Sequence, residues 1–341
     1  MSLHSVNPPR PALQGGIVIL LLTVSFVQVG VTKFLITDRG RRQTWETITT
    51  MHQQVLENRA GAFYQYQMWI FANVVEFAKN HILAKSPLVI PEPINLIFLY
   101  DALYFVGNTI FLILLFRWLL RFAAPPFALL AVLTFTGIQS LLWYDNSLHP
   151  GDPFGLILAT LLVEAIYDCR DDFKTLLLSL ASGFIWEKHF FFPLIYLAYR
   201  FREREGRTAH LLSFAALLGI TAVAGQVFYR AYFGLRLGLL TSSGTTLEEN
   251  LSPLGLGRFA LGYAVMTGMP LVSAIRYGRK LDRFHLAVLI PVVVFPFLYL
   301  TMNGVMGEMR GYVVLIPLIY PAFTLGLSHW LGQGRTKEQQ G

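Results

Sequence analysis

Four short stretches of this 341-residue chain gather side chains able to move protons or hold phosphate. The first is Asp38 in Ile36-Thr37-Asp38-Arg39, with Arg41 and Arg42 close behind. The second runs Tyr144-Asp145-Asn146-Ser147-Leu148-His149-Pro150-Gly151-Asp152-Pro153 and carries two carboxylates and an imidazole. The third is Gly307-Glu308-Met309-Arg310-Gly311, and the fourth is Trp186-Glu187-Lys188-His189, set inside an apolar run. A carboxylate at a dry boundary suits a general base or a metal ligand, because burial raises its proton affinity toward a working pH. Arg and Lys beside it suit a phosphate, which Arg grips through two parallel hydrogen bonds. Each stretch also has a plainer reading. Asp38 fits a solvated helix end, and residues 145–152 are rich in turn formers. Glu187-Lys188 and Glu308-Arg310 fit ion pairs, although ionisable groups inside a membrane are costly and mark function by default.

The elements that position these groups are set by an apolar composition. Only 14% of residues are charged and the mean hydropathy is +0.52, where soluble domains carry roughly 25% charged residues. Apolar runs long enough to cross about 30 Å of hydrocarbon recur at 15–36, 94–116, 123–143, 209–233, 256–275, 284–302 and 311–332. Lipid offers no partners to backbone groups, so helices are expected, and the alternating ten-residue pattern of a membrane barrel is absent. The fold class is therefore all-α, a polytopic transmembrane helix bundle, with residues 15–332 as one membrane domain between tails 1–14 and 333–341.

Basic residues set the orientation. With the N-terminus cytoplasmic, the inner segments hold 15 of the 27 Lys and Arg residues, including Arg117, Arg121, Arg170, Lys174, Arg200 and Arg276. The outer loops 145–152, 234–255 and 303–310 hold only Arg236 and Arg310. Basic loops stay on the cytoplasmic side, so both termini are expected there and the acidic stretches face outward. The net charge of +7 is thus a matter of membrane orientation, and nucleic acid is not an expected partner. Keeping this orientation leaves two layouts. Either 175–199 is a bent pair of short helices, giving about ten membrane helices, or 153–167 does not cross, giving eight.

Residues 37–93 form one long outer segment after the first span. Its start is too polar to cross, and from Phe63 to Phe77 it turns amphipathic. There Phe63, Tyr66, Ile70, Val74 and Phe77 fall on one face, with Gln65, Asn73 and Glu76 opposite, a pattern suited to a helix lying in the interface. Asp101 lies within an apolar run and is expected to face the bundle interior, while Arg230 and Arg258 flank 234–255 and would snorkel outward. Cys169 is the only cysteine, so no disulfide forms within the chain. The first span lacks a small-residue cleavage pattern and reads as a retained anchor. No Walker loop, dinucleotide fingerprint or His-Glu-x-x-His occurs, and no internal repeat is visible.

On these residues the chain resembles the GT-C superfamily of integral membrane glycosyltransferases. Asp38 matches an acidic residue that the family carries early in the first outer loop, and Asp145 or Asp152 matches the one in the following outer loop. The stretch Asp172–Gly183 followed by Trp186-Glu187-Lys188 and Phe192-Pro193 looks like a recurrent bacterial pattern. In it a basic turn leads into a small-residue helix, a charged break and a returning helix, which favours the ten-helix layout. Glu308-Met309-Arg310 ahead of Leu315-Ile316-Pro317 also looks like the acidic–basic pair before a late helix in related proteins. Many members have Asp-x-Asp or Glu-x-Asp in the first loop, whereas here Asp38 stands between Thr37 and Arg39.

The resemblance implies an inverting transferase in a bacterial inner membrane, working on the extracytoplasmic side. Its donor would be a polyprenyl-phosphate-linked sugar and its acceptor a lipid-linked or envelope glycan, both met within membrane lipid. Asp38 would be the base, with Asp145 or Asp152 orienting the acceptor or a divalent metal such as Mg or Mn; the metal ligands stay unknown. Lys188, Arg258 and Arg310 would hold the departing phosphate, and His149, Glu187 and Glu308 would line the substrate site. Two other readings compete: a flippase for lipid-linked glycans, which needs a basic groove but no base, and a non-catalytic subunit of an envelope complex.

Overall fold

The computed structural model describes residues 11–35, 38–60, 62–85, 92–142, 151–185, 189, 191–200, 208–234 and 313–338, with shorter pieces between 252 and 288. Every regular element among them is helical. In chain order they are α1 (Pro11–Leu35), α2 (Asp38–Leu56), α3 (Ala62–His81), α4 (Glu92–Leu119), α5 (Pro125–Leu142) and α6 (Asp152–Tyr167). They continue with α7 (Phe173–Ile185), α8 (Phe192–Arg200), α9 (Thr208–Phe233), α10 (Met269–Tyr277) and α11 (Ile316–Glu338). Among the described residues, 94–119, 208–233 and 313–331 are long and apolar enough to span a membrane. Shorter apolar helices occupy 15–30, 125–139 and 173–185.

Proline and charge mark the breaks. Pro93 opens α4, where a missing N–H costs nothing, and Pro125 opens α5 after a turn at 120–124. Asp172 caps α7: its Oδ1 accepts the Thr175 N–H at 2.9 Å and the Thr175 hydroxyl at 2.9 Å. α2 ends at a turn where Asn58 takes φ 56°, a left-handed conformation Asn tolerates. The Gln65 amide then donates to the Val55 carbonyl at 3.0 Å, tying α3 back onto the end of α2.

One apolar core joins α1, α4, α5, α6, α8, α9 and α11 through side chains such as Leu21, Phe111, Phe135, Leu162, Ile195, Leu218 and Leu318, none more than 1% exposed. A second core holds α2 and α3 to it. Ile48, Met51 and Val55 of α2 meet Met68, Phe71, Ala72 and Val75 of α3, and both pack on Leu96, Ile97 and Tyr100 of α4. Within the first core a polar network ties three helices. Asn108 of α4 donates to Ser25 and Gln28 of α1, each at 2.9 Å, and Gln139 of α5 donates to Asn108 and Tyr104, each at 3.1 Å. Such bonds are favoured where lipid would leave the groups unpaired.

Residues 175–199 do not form one straight helix. α7 stops at Ile185 and α8 starts at Phe192. The two free ends return to each other, because Arg200 at the end of α8 meets Asp171 just before α7 at 2.7 Å. α7 packs on α9 along small residues. A methyl group on Gly183 would overlap the Ala222 carbonyl, and one on Gly225 would overlap the Gly183–Phe184 peptide. That close approach is sealed by Ser179 donating to the Leu218 carbonyl at 2.9 Å and Gln226 to the Gly183 carbonyl at 3.0 Å.

α1 begins at Pro11 and α11 runs to Glu338. Two features depart from the sequence expectation. In α3 the face turned to the protein is Gln65, Met68, Phe71, Ala72 and Val75, while Val74 and Phe77 are 47% and 61% exposed. The apolar stripe read from the sequence is therefore partly the outward face, because in a membrane protein lipid accepts an apolar side as readily as the core does. Finally, Trp118, near the end of α4, donates its indole N–H to the Pro317 carbonyl at 2.7 Å. The first turn of α11 is thus level with the basic end of α4, where a span descending from 303–310 would start at the opposite end.

Candidate functional site

Tyr100 and Arg117 mark two ends of α4 roughly 26 Å apart, at 1.5 Å per residue. The end carrying Arg117 is dominated by ion pairs. Arg117 donates to Glu164 at 3.1 Å, and Arg121 grips Asp168 with bonds of 2.6 and 3.2 Å. Arg170 adds a 2.8 Å bond to Asp168, and Arg200 one of 2.7 Å to Asp171, which also accepts the Tyr196 hydroxyl at 3.0 Å. His210, at the start of α9, stands 3.5 Å from the same carboxylate. Burial raises the Asp168 carboxyl, but hydrogen bonds and charge from Arg121 and Arg170 outweigh it and hold it below the ordinary value. The hydrogen bonds from Thr175 likewise hold Asp172 down. Several basic residues that set the orientation are thus paired with carboxylates of the turn after α6, which the sequence reading did not single out.

At the opposite end lies Asp152, one of the acidic residues expected to do chemistry. Asp152 is the first residue of α6 and is 5% exposed. Its position is clamped on two sides. A side chain on Gly151 would come within 2.8 Å of the Phe71 ring of α3, and one on Gly107 of α4 within 2.9 Å of the Phe154 ring. The Phe71 and Phe154 rings themselves sit 5.4 Å apart. A carboxylate at a helix start is stabilised by the free N–H groups and the dipole there. Asp38 is the first residue of α2, so it too opens a helix, on the element whose other end packs against α3 and α4.

A third arrangement at this end escaped the sequence reading. The His52 ring of α2 is 2% exposed, with Nδ1 2.8 Å from the Tyr100 hydroxyl of α4 and Nε2 3.0 Å from Glu76 of α3. Glu76 is also held by Lys79 at 3.2 Å and Asn80 at 2.9 Å. Burial raises the Glu76 carboxyl, and the bonds from His52, Asn80 and Lys79 outweigh that and keep it below its ordinary value. Beside it, Trp69 of α3 packs edge-on against Tyr229 and Phe233 of α9, at 6.3 and 5.6 Å, which brings α9 to the same end.

Asp145, His149, Glu187, Lys188, Arg258, Glu308 and Arg310 lie outside the described residues. His189 is described: it is fully buried and its Nδ1 lies 3.2 Å from the Ser182 carbonyl. Among the described residues no three His, Cys, Asp or Glu side chains converge as a metal set. Comparison of the chain with protein-family models, with curated proteins and with solved structures returns no match.

Proposed function

We propose that this chain is an integral membrane glycosyltransferase that moves one sugar from a polyprenyl-phosphate donor to a lipid-linked or envelope glycan acceptor. The observation that carries the reading is Asp152, a buried carboxylate at the start of α6 whose neighbours Gly151 and Phe154 pack on α3 and α4, the two helices that also hold α2, which opens with Asp38. Two helix-starting carboxylates on elements that share one packed end suit an acceptor hydroxyl that must lose a proton beside a developing phosphate.

In this reading Asp38 takes the acceptor proton and Asp145 or Asp152 orients the acceptor or a divalent ion. Carboxylate oxygens suit Mg or Mn, and Asp152 would be one donor of such a set. Lys188, Arg258 and Arg310 bind the leaving phosphate, and attack in line with it inverts the anomeric centre. The site faces outward from a bacterial inner membrane. The layout has about ten membrane helices, with α7 and α8 as the bent pair; their separation and the Asp171–Arg200 contact support it.

The broken pair α7–α8 also favours a second reading, a flippase for lipid-linked glycans, because interrupted helices are common at transport sites. Purified protein given a set of polyprenyl-phosphate sugars and an envelope-lipid acceptor extract separates the two. The transferase reading expects a new glycosidic product that is lost in Asp38→Asn. Absence of product across the set, with lipid-linked sugar still moving between leaflets, supports the flippase.

A further inference from the structure

One imidazole joins three elements of the outer end. His52 comes from α2, Glu76 from α3 and Tyr100 from α4, and the three are linked at 3.0 and 2.8 Å. His52 is 2% and Tyr100 0% exposed, so water does not compete for the bond between them, while Glu76 is half-buried. A neutral ring with its hydrogen on Nε2 fits both: Nε2–H donates to Glu76, and Nδ1 accepts the Tyr100 O–H. A second proton would sit on Nδ1 and face the phenol oxygen. The Tyr100 hydrogen must then leave its acceptor inside a packed core, where an unmade bond is costly. The Glu76 side gains instead, because a cationic ring beside a carboxylate is an ion pair.

Among the described residues, α3 offers Glu76 and Lys79 to this ring. α4 offers Tyr100, with half-buried Asp101 next to it, and positions 47–56 of α2 carry no other charge. We propose that Glu76–His52–Tyr100 is an acid-responsive latch. It holds α2, and the Asp38 that opens it, against α4 when His52 is neutral, and loosens that docking when His52 is protonated. His52 and Glu76 are thus positioning residues for the outer site. The inference leans on the proposed function only for which compartment's acidity the latch senses, since docking itself requires no sugar transfer.

The test uses full-length protein in lipid nanodiscs with Cys169 replaced by Ser and spin labels at positions 50 and 98, both exposed. The expected result is one α2–α4 distance at pH 8 and a second, longer population growing as pH falls through the imidazole range of roughly 5 to 7. His52→Gln should keep a single distance at every pH. Glu76→Gln, which removes the charge favouring the protonated ring, should move the midpoint down by about one pH unit. A distance that ignores pH in the unmodified latch overturns the proposal, as does a pH response that survives His52→Gln or an unmoved midpoint in Glu76→Gln. None of these outcomes depends on whether the protein transfers sugar.

Discussion

Asp38 and Asp152 each open a helix, and the account gives them different work. Asp38→Asn keeps shape and removes the base, so transfer should fall by roughly 10²–10⁴ while insertion and folding survive; radiolabel transfer by purified protein measures it. Normal turnover would move the base to Asp145 or Asp152. At the other end, Asp168 and Asp172 titrate below their ordinary value when folded. A depressed carboxyl contributes stability above its unfolded value, about 3.9, and that contribution fades as pH drops through the folded value. The melting temperature in detergent should therefore be steady from neutral to mildly acidic pH and fall below about pH 4, with a shallower fall in Asp168→Asn. The acidic candidates were picked out from the sequence because carboxylates are conspicuous in an apolar chain. The His52–Tyr100 pair was not, since its members are 48 residues apart and meet only through the packing of two helices.

At the scale of elements, helix limits could be read closely where proline and charge punctuate an apolar run. The run 94–116 became α4 and 209–233 became α9 with ends shifted by a few residues. Which face of α3 turns inward could not be read, because periodicity marks apolar faces and both lipid and protein accept them. Counting basic residues left two layouts open and the resemblance favoured a bent pair; α7 and α8 are separate helices, and the contact that closes them joins two of the expected inner segments. Arg200→Ala should remove the guanidinium that pairs with buried Asp171 and cost about 3–5 kcal/mol, read as a lower melting temperature. Gly225→Ala should push α7 from α9 and cost about 1–3 kcal/mol, with disulfide trapping between cysteines placed on the two helices falling in step. Wild-type stability in either variant would mean that the close contact at that point is not needed.

At the scale of the whole molecule, one end of α4 is charged and ion-paired, and at the other α2 and α3 pack on α4, with Phe71 of α3 against Phe154 of α6. Loop charge supplies an expected orientation. The level of α11 was not legible, since hydropathy fixes that a segment is apolar and leaves its height to packing such as Trp118 against Pro317. With Cys169 replaced, cysteines at Asn146 and Asn250 should react with an impermeant reagent added outside, and those at Glu205 and Asp282 only once the membrane is opened. External labelling at Glu205 would reverse the orientation and remove the outer site with it.

The central claim is that sugar is transferred, by this chain alone, on the outer face. Sealed proteoliposomes that carry the protein in one known orientation, given radiolabelled polyprenyl-phosphate sugar and envelope-lipid acceptor from the outer-face side only, test it most directly. The account predicts glycosylated acceptor and free polyprenyl phosphate in equal amounts, with the product lost in Asp38→Asn. Labelled donor that crosses intact into the lumen, with no glycosidic bond formed on either side, would contradict it.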